Sequence, residues 1–179
     1  PTEYKLFVKE HPSQFLRGWR KKSDYEIIKN IPNVELIHPN YPQNILFKNC
    51  NLVITIGGTA GFEAALHNKP SIIFNDLRYS ILPSVCRLES IEDLPSIIKK
   101  WLNVKVNRYD LSRYVNLLNS VTFDFNWLGF QQLFQNEFNN NDTSRDVIIS
   151  ESKMLEFLIK HKETLESLAN EHLKKIGET

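Results

Sequence analysis

Four short apolar runs in the sequence are each followed directly by polar, ionisable or glycine residues that could bind a ligand. The segments that follow these runs are residues 9–12, 38–40, 57–63 and 75–79. If the apolar runs are parallel strands, their carboxyl ends lie at one edge of a sheet. Ligands of open α/β sheets bind beyond that edge. The order of residue types therefore predicts a ligand site made from the segments that follow the strands.

The third of these segments begins with a glycine-rich turn. Gly57 and Gly58 permit unusual backbone dihedral angles and a close approach by a ligand. The amides of Thr59, Ala60 and Gly61 would then lie at the positive end of a helix, which can hold a phosphate. The alternative is a tight turn with Thr59 as an ordinary N-cap, and the turn alone does not decide between the two. The spacing matches neither GxGxxG nor a P-loop.

Four ionisable side chains near the predicted edge are candidates for chemistry. Glu63 lies in the first turn of the next helix, where it could accept hydrogen bonds from ribose hydroxyls or only complement the helix dipole. His11 could donate a hydrogen bond to a phosphate, or be a plain loop residue. Lys9 and Arg17 could contact phosphate, or be solvated surface residues.

Alternating strand and helix patterns occupy about the first hundred residues. The predicted strands are residues 4–9, 34–37, 52–56, 71–74 and 84–88. The predicted helices are residues 14–30, 44–48, 60–67 and 91–102. This order predicts an α/β fold with a Rossmann-like, doubly wound parallel sheet. Residues 52–56 are almost continuously apolar, as strands covered on both faces are. Residues 4–9 are also expected to form a buried strand.

The pattern becomes helical after about residue 105. A helix is predicted over residues 109–120, an aromatic-rich segment covers 123–138, and amphipathic helices cover 150–175. The aromatic side chains could dock a helical segment on the sheet domain or on a missing partner lobe, or stack on single-stranded nucleic acid. Stacking requires a basic groove, and the sequence shows none. We therefore divide the chain into a Rossmann-like lobe, residues 1–104, and a helical extension, residues 105–179.

Composition excludes several classes of partner. The 179 residues include 22 Lys and Arg against 21 Asp and Glu, a formal net charge of +1. This balance gives no support for nucleic acid or an anionic membrane as a partner. No apolar run reaches the roughly 18 residues of a membrane-spanning helix. Cys50 and Cys86 lack metal-ligand spacing, so we expect buried thiols in a reducing compartment, no metal and a cytoplasmic location.

Two segments resemble a known family. Residues 57–70 resemble the donor-binding, C-terminal lobe of GT-B glycosyltransferases, with its small-residue turn, its "xEAL" helix and the "GKP" before the next strand. Asn68 replaces the glycine of that motif, and asparagine also visits the left-handed conformation. Residues 9–12 are similar to the "HP" motif of capsule and surface polysaccharide transferases. The resemblance covers roughly residues 4–100.

The resemblance implies a role for each matching residue. His11 would contact the donor phosphate and, with Arg17, stabilise it as it departs. Glu63 would bind ribose, the amides around Thr59 would hold phosphate, and residues 38–40 would line the base pocket. The implied donor-binding residues are Lys9, His38, Gly57, Gly58, Thr59, Ala60, Gly61, Glu63 and Tyr79.

These roles imply the donor-binding half of a nucleotide-sugar-dependent glycosyltransferase. The donor would be CMP- or UDP-linked, no further cofactor is expected, and the acceptor would be a glycan. The chain begins at Pro1 rather than Met, so we expect an N-terminal lobe, with the catalytic base, elsewhere in a longer protein. Peripheral membrane association of that full-length protein is left open. Three alternatives also stay open: a CDP-glycerol glycerophosphotransferase, a UDP-sugar 2-epimerase-like enzyme, or a non-catalytic nucleotide-binding or interaction domain.

Overall fold

The computed structural model describes residues 4–12, 20–139 and 147–177. The strands of these residues are β1 (Leu6–Lys9), β2 (Val34–Ile37), β3 (Val53–Thr55), β4 (Ser71–Ile73) and β5 (Val85–Arg87). The helices are α1 (Lys22–Lys29), α2 (Gln43–Asn49), α3 (Ala60–Leu66), α4 (Leu94–Trp101), α5 (Arg108–Val121), α6 (Trp127–Phe134), α7 (Glu151–Lys160) and α8 (Lys162–Ile176). The predicted α/β class, with parallel strands followed by C-terminal helices, is confirmed.

The chain forms two compact units. One contains residues 1–41 and 123–179 and is called the first unit; the other contains residues 42–122 and is called the second unit. The predicted division at residue 104 stays a prediction. Its position falls within the second unit, between α4 and α5.

The sheet of the second unit has the strand order β3-β4-β5, and all of its pairs are parallel. The central strand β4 is buried along its whole length, and Ile72 and Ile73 have no exposed surface. Its apolar side chains suit a strand that has a neighbour on either side. Ile73 belongs to a core that also contains Ala65, Tyr79 and Tyr114. Helix α5 therefore contributes to this core, although it follows the last strand in the sequence.

The expectation that the third strand is covered on both faces was wrong. Burial along β3 alternates, with Val53 and Thr55 partly buried and Ile54 exposed. Because successive side chains point to opposite faces of a strand, this alternation means that one face is covered and the other is not. Helix α3 packs against β3 and β4.

The first unit contains the parallel pair β1-β2, in which Leu6 lies opposite Val34 and Lys9 opposite Ile37. The expectation that the first strand is buried was also wrong, since Leu6 and Phe7 keep about half of their surface exposed, 50% and 48%. Helix α1 packs mainly against β2.

The aromatic-rich segment packs against helix α7. Phe157 is 3% exposed. Its ring centroid lies 6.0 Å from that of Phe130, 5.6 Å from that of Phe134 and 5.1 Å from that of Phe138. These rings form an internal cluster between C-terminal helices, and docking of this segment on the sheet or on a missing lobe stays a prediction.

Helices α5, α6 and α7 begin where the sequence supplies an N-cap. Side-chain oxygens of Asn107, Asn126 and Ser150 each accept a hydrogen bond from a backbone N–H of the first turn. Such caps satisfy amides that have no partner within the helix. The helix predicted over residues 91–102 instead begins with a short 3-10 turn, Ile91–Asp93, before α4.

Asn68 follows the C-terminal end of helix α3 and adopts a left-handed backbone conformation. The φ angle of Asn68 is 58°. Its N–H donates to the Ala65 carbonyl at 3.0 Å, and the Lys69 N–H donates to the Ala64 carbonyl at 2.9 Å. This pair of bonds is the Schellman motif, in which the left-handed position is usually glycine. The expectation that asparagine takes the place of glycine here is confirmed.

The conformation of Asn68 makes substitutions there predictable. Asn68→Ala is expected to lower the free energy of unfolding by about 1 kcal/mol, because alanine tolerates the left-handed region poorly. Asn68→Gly is expected to maintain or raise that free energy. Urea unfolding of each variant measures the effect. Asn116→Ala, on the exposed face of α5, is the control and should not lower stability; equal stability of Asn68→Ala and Asn68→Gly would contradict the assignment.

Candidate functional site

The glycine turn connects β3 to α3 in the second unit. Gly58 has a φ angle of 81°, which side chains rarely adopt, and a Cβ added there would meet no atom within 4 Å. A Cβ added at Gly57 would lie 3.4 Å from Nδ2 of Asn75. The turn therefore needs glycine at position 58 for its backbone conformation, and the space beside that residue is open to a ligand.

The carboxylate of Glu63 is bonded through both of its oxygens. The Thr59 hydroxyl donates to Oε1, and Nε2 of Gln43 donates to Oε2 at 3.4 Å. A carboxylate offers about four acceptor positions, so Glu63 retains capacity to accept bonds from vicinal hydroxyls. Thr59 is the residue before α3, but its side chain makes no capping hydrogen bond. The alternative that made Thr59 an ordinary side-chain cap is therefore wrong.

Tyr79 fixes the glycine turn from the core. This side chain is 6% exposed, and its hydroxyl donates to the Gly58 carbonyl at 2.6 Å. Burial raises the pKa of Tyr79, and a hydrogen bond with the Gly61 backbone lowers it by a smaller amount. The charge of Glu63 also raises this pKa. Tyr79 is therefore a neutral donor that holds Gly58 in place. Direct contact between Tyr79 and a ligand stays a prediction.

Gly61 is required by the packing of α3. A Cβ added there would lie 2.9 Å from Cε2 and the hydroxyl oxygen of Tyr79 and 3.1 Å from Oγ of Ser71. The buried Ser71 hydroxyl donates to the Gly61 carbonyl at 3.2 Å. Gly61 thus lets the first turn of α3 approach β4 closely. The phosphate contact expected of the Gly61 and Ala60 amides stays a prediction.

Polar residues also follow β4 and β5 at this edge. Asn75 lies beside Gly57, and Oδ2 of Asp76 lies 3.4 Å from Nη1 of Arg87. The Asp76 and Arg87 side chains are 71% and 51% exposed, so their pairing contributes little to stability. The expected gathering of polar groups beyond the strand ends is thus present in the second unit.

The remaining candidate residues lie in the first unit. Lys9 ends β1, and the exposed His11 follows two residues later. Nδ1 of His38 accepts a hydrogen bond from the Asn40 N–H at 3.1 Å, which folds the segment after β2 into a turn. Arg17 lies outside the described residues. The contacts expected of Lys9, His11 and His38 with a donor stay predictions.

Sequence reasoning missed two features of the site. Gln43 begins α2, one residue before the predicted start of that helix, and its side chain reaches Glu63. Glu10 lies between the candidates Lys9 and His11, and its carboxylate pairs with Nε of Arg20 at 2.5 Å. Both contacts join residues at least ten positions apart, and no local pattern in the sequence signals them.

Fold and site together define an α/β protein with polar residues at the carboxyl ends of its parallel strands. Residues 1–82 match the model of a family described as capsule polysaccharide biosynthesis protein. The matched segment includes the glycine turn, Glu63 and Tyr79. No curated protein and no solved structure matches the chain. The family match supports a role in capsule polysaccharide synthesis.

Two further properties of the described residues bear on possible partners. None of their helices has the length and apolar character needed to cross a membrane. Within residues 4–12, 20–139 and 147–177, no group of three or more His, Cys, Asp or Glu side chains could hold a metal ion. Cys50 and Cys86 are free and only partly buried, against the expectation of fully buried thiols; this burial raises the pKa of each thiol.

The bond between Tyr79 and Gly58 leads to a stability prediction. Tyr79→Phe removes the donor and leaves the Gly58 carbonyl without it, so the free energy of unfolding should fall by about 1 kcal/mol. Urea unfolding tests this. Tyr109→Phe is the matched control, because Tyr109 is 68% exposed in the same unit, and its stability should stay within about 0.5 kcal/mol of the parent. Unchanged stability of Tyr79→Phe would show that the bond does not hold the turn.

Proposed function

We propose that this chain is the donor-binding half of a nucleotide-sugar-dependent glycosyltransferase that acts in capsule or surface polysaccharide synthesis. The observation that carries the proposal is the Glu63 carboxylate, held by Thr59 and Gln43 beside the open turn at Gly58. The site lies at the carboxyl ends of parallel strands, where α/β proteins bind nucleotides. The family match of residues 1–82 supports the polysaccharide role.

Glu63 is proposed to bind the ribose of the donor nucleotide. Its two bonds to Thr59 and Gln43 fix the orientation of the carboxylate before a ligand arrives, which lowers the entropy lost on binding. The remaining acceptor positions would receive the vicinal hydroxyls of ribose. Specificity of this kind depends on a fixed polar group, because an analogue without the hydroxyls leaves that group unpaired.

The donor phosphate is proposed to contact His11. A protonated imidazole, or a neutral one with its N–H directed at an oxygen, would stabilise negative charge on the departing nucleotide. Helix α3 has only seven residues, so the contact proposed between the phosphate and the Thr59 and Ala60 amides is a separate proposal from the contact with His11. Transfer to a glycan would further require an acceptor and a catalytic base from elsewhere in a longer protein.

Nucleotide titration of Glu63 variants tests the proposal. Isothermal calorimetry with CMP, CDP, UDP, GDP and ADP measures the affinity of the parent chain for each. Glu63→Gln is expected to weaken the binding of the preferred nucleotide by about 1–3 kcal/mol, because the ribose hydroxyls lose a charged acceptor. The 2′-deoxy form of that nucleotide should bind the parent chain more weakly than the ribonucleotide does. Glu63→Gln should also reduce the affinity for the 2′-deoxy form by a smaller amount.

The matched control is Asp110→Asn, which removes another acid from the first turn of a helix in the same unit. It should leave nucleotide affinity unchanged, and this separates ribose recognition from a general effect on helix dipoles. Retained affinity in a correctly folded Glu63→Gln chain would contradict the ribose role. A preference for CMP or UDP would support a sugar transferase, and a preference for CDP would favour the glycerophosphotransferase alternative.

His11→Ala tests the phosphate role separately. The substitution is expected to lower the affinity of the chain for the preferred nucleotide at least five-fold. Its affinity for the corresponding free nucleoside should stay within two-fold of the parent value, because only the nucleotide carries the phosphate. Equal losses for nucleotide and nucleoside would show that His11 does not contact phosphate.

A further inference from the structure

The first unit contains a surface groove between α6 and the first turns of α8. Its volume is about 630 Å³. The groove is lined by Asp124, Phe125, Asn126, Gly129, Phe130, Leu133, Glu163, Thr164 and Ser167. We call it the acidic groove, because two of its lining residues are carboxylic acids and none is a lysine or an arginine.

Aromatic side chains support the acidic groove. The ring of Phe130 lies 5.9 Å from that of Phe125 and 6.0 Å from that of the buried Phe157. Asn126 accepts a hydrogen bond from the Gly129 N–H at 3.0 Å, which fixes the start of α6 at the same place. The lining is therefore tied to a packed cluster and an N-cap.

Apolar side chains form part of the groove lining. Phe125, Phe130 and Leu133 are among the lining residues, and Leu133 is 41% exposed. Exposed apolar side chains in a concave surface are typical of sites where another protein docks. A small cation would leave this apolar lining uncovered, whereas a polypeptide segment could cover it.

The charges of the groove favour a cationic ligand. Asp124 and Glu163 line the groove, and Glu163 is in the first turn of α8. The nearby Lys162 is 3.5 Å from Glu166, on the same helix. The Lys160 ammonium is 2.6 Å from Glu137. These two lysines therefore interact with acids outside the groove lining, and no lysine or arginine belongs to that lining.

We propose that the acidic groove docks a basic, apolar segment of a partner protein. A lysine side chain of the segment would lay its alkyl stem over Phe125 and Phe130 and direct its ammonium to Asp124 or Glu163. Apolar residues of the segment would cover Leu133. This proposal does not rest on the proposed transferase activity.

Fluorescence anisotropy with labelled peptides tests the proposal. The probes are a ten-residue peptide of alternating lysine and leucine and a matched peptide of alternating glutamate and leucine. The full chain should bind the lysine peptide at least ten-fold more tightly. Asp124→Asn combined with Glu163→Gln should weaken that binding at least ten-fold, and added salt should weaken it too. Glu151→Gln, which neutralises the first-turn acid of α7, should stay within two-fold of the parent.

A second pair of variants adds charge instead of removing it. Ser167→Lys places a cation in the groove lining, whereas Asn170→Lys places one on an exposed position of α8 outside the lining. Only Ser167→Lys should abolish binding of the lysine peptide. Both are surface changes on one helix, so near-ultraviolet circular dichroism should show the same fold for both.

Four results would overturn the proposal. Equal affinity for the two peptides would exclude recognition of positive charge, and an equal loss in Glu151→Gln would place the interaction outside the groove. Spermine that binds as tightly as the lysine peptide would make the ligand a small cation. Sedimentation that shows self-association of the parent, abolished by Ser167→Lys, would make the occupant a second copy of the chain.

Discussion

The hydrogen bond from the buried Tyr79 hydroxyl to the Gly58 carbonyl holds together the part of the structure on which the site depends. It joins the core of the second unit to a turn that has a left-handed residue and open space beside it. Gly61 and Ser71 complete the arrangement. Because Gly61 has no Cβ, α3 can approach β4 closely, and the Ser71 hydroxyl donates a hydrogen bond to the Gly61 carbonyl. The turn is thus held in one conformation by groups that lie beneath it.

The same arrangement supports the ligand-binding role proposed for Glu63. A rigid start of α3 fixes the position of the carboxylate, and Thr59 bonds to that carboxylate instead of capping the helix. Gln43 holds the other oxygen from a separate helix. Burial of Tyr79 raises its pKa, so the bond that fixes Gly58 persists at neutral pH, where tyrosine is protonated. Core packing and ligand recognition therefore depend on adjoining residues.

The sequence was sufficient to predict most of the elements because apolar runs, glycines and prolines are local signals. Strand β2 was predicted with its observed bounds, and Asn68 was correctly expected to replace glycine at the end of α3. The role of Tyr79 and the contact between Gln43 and Glu63 were not predictable, since both join residues about twenty positions apart. The exposure of Leu6 and Ile54 was also missed, because it depends on where helices pack.

The central claim is that a nucleotide binds at the turn between β3 and α3. Amide chemical-shift mapping by NMR, with CMP and UDP added separately to the labelled chain, tests it most directly. The account predicts that one nucleotide shifts the amide resonances of residues 57–63 and the side-chain amide of Gln43, while those of α5 remain unchanged. Saturable shifts confined to other residues, with residues 57–63 unaffected, would contradict it.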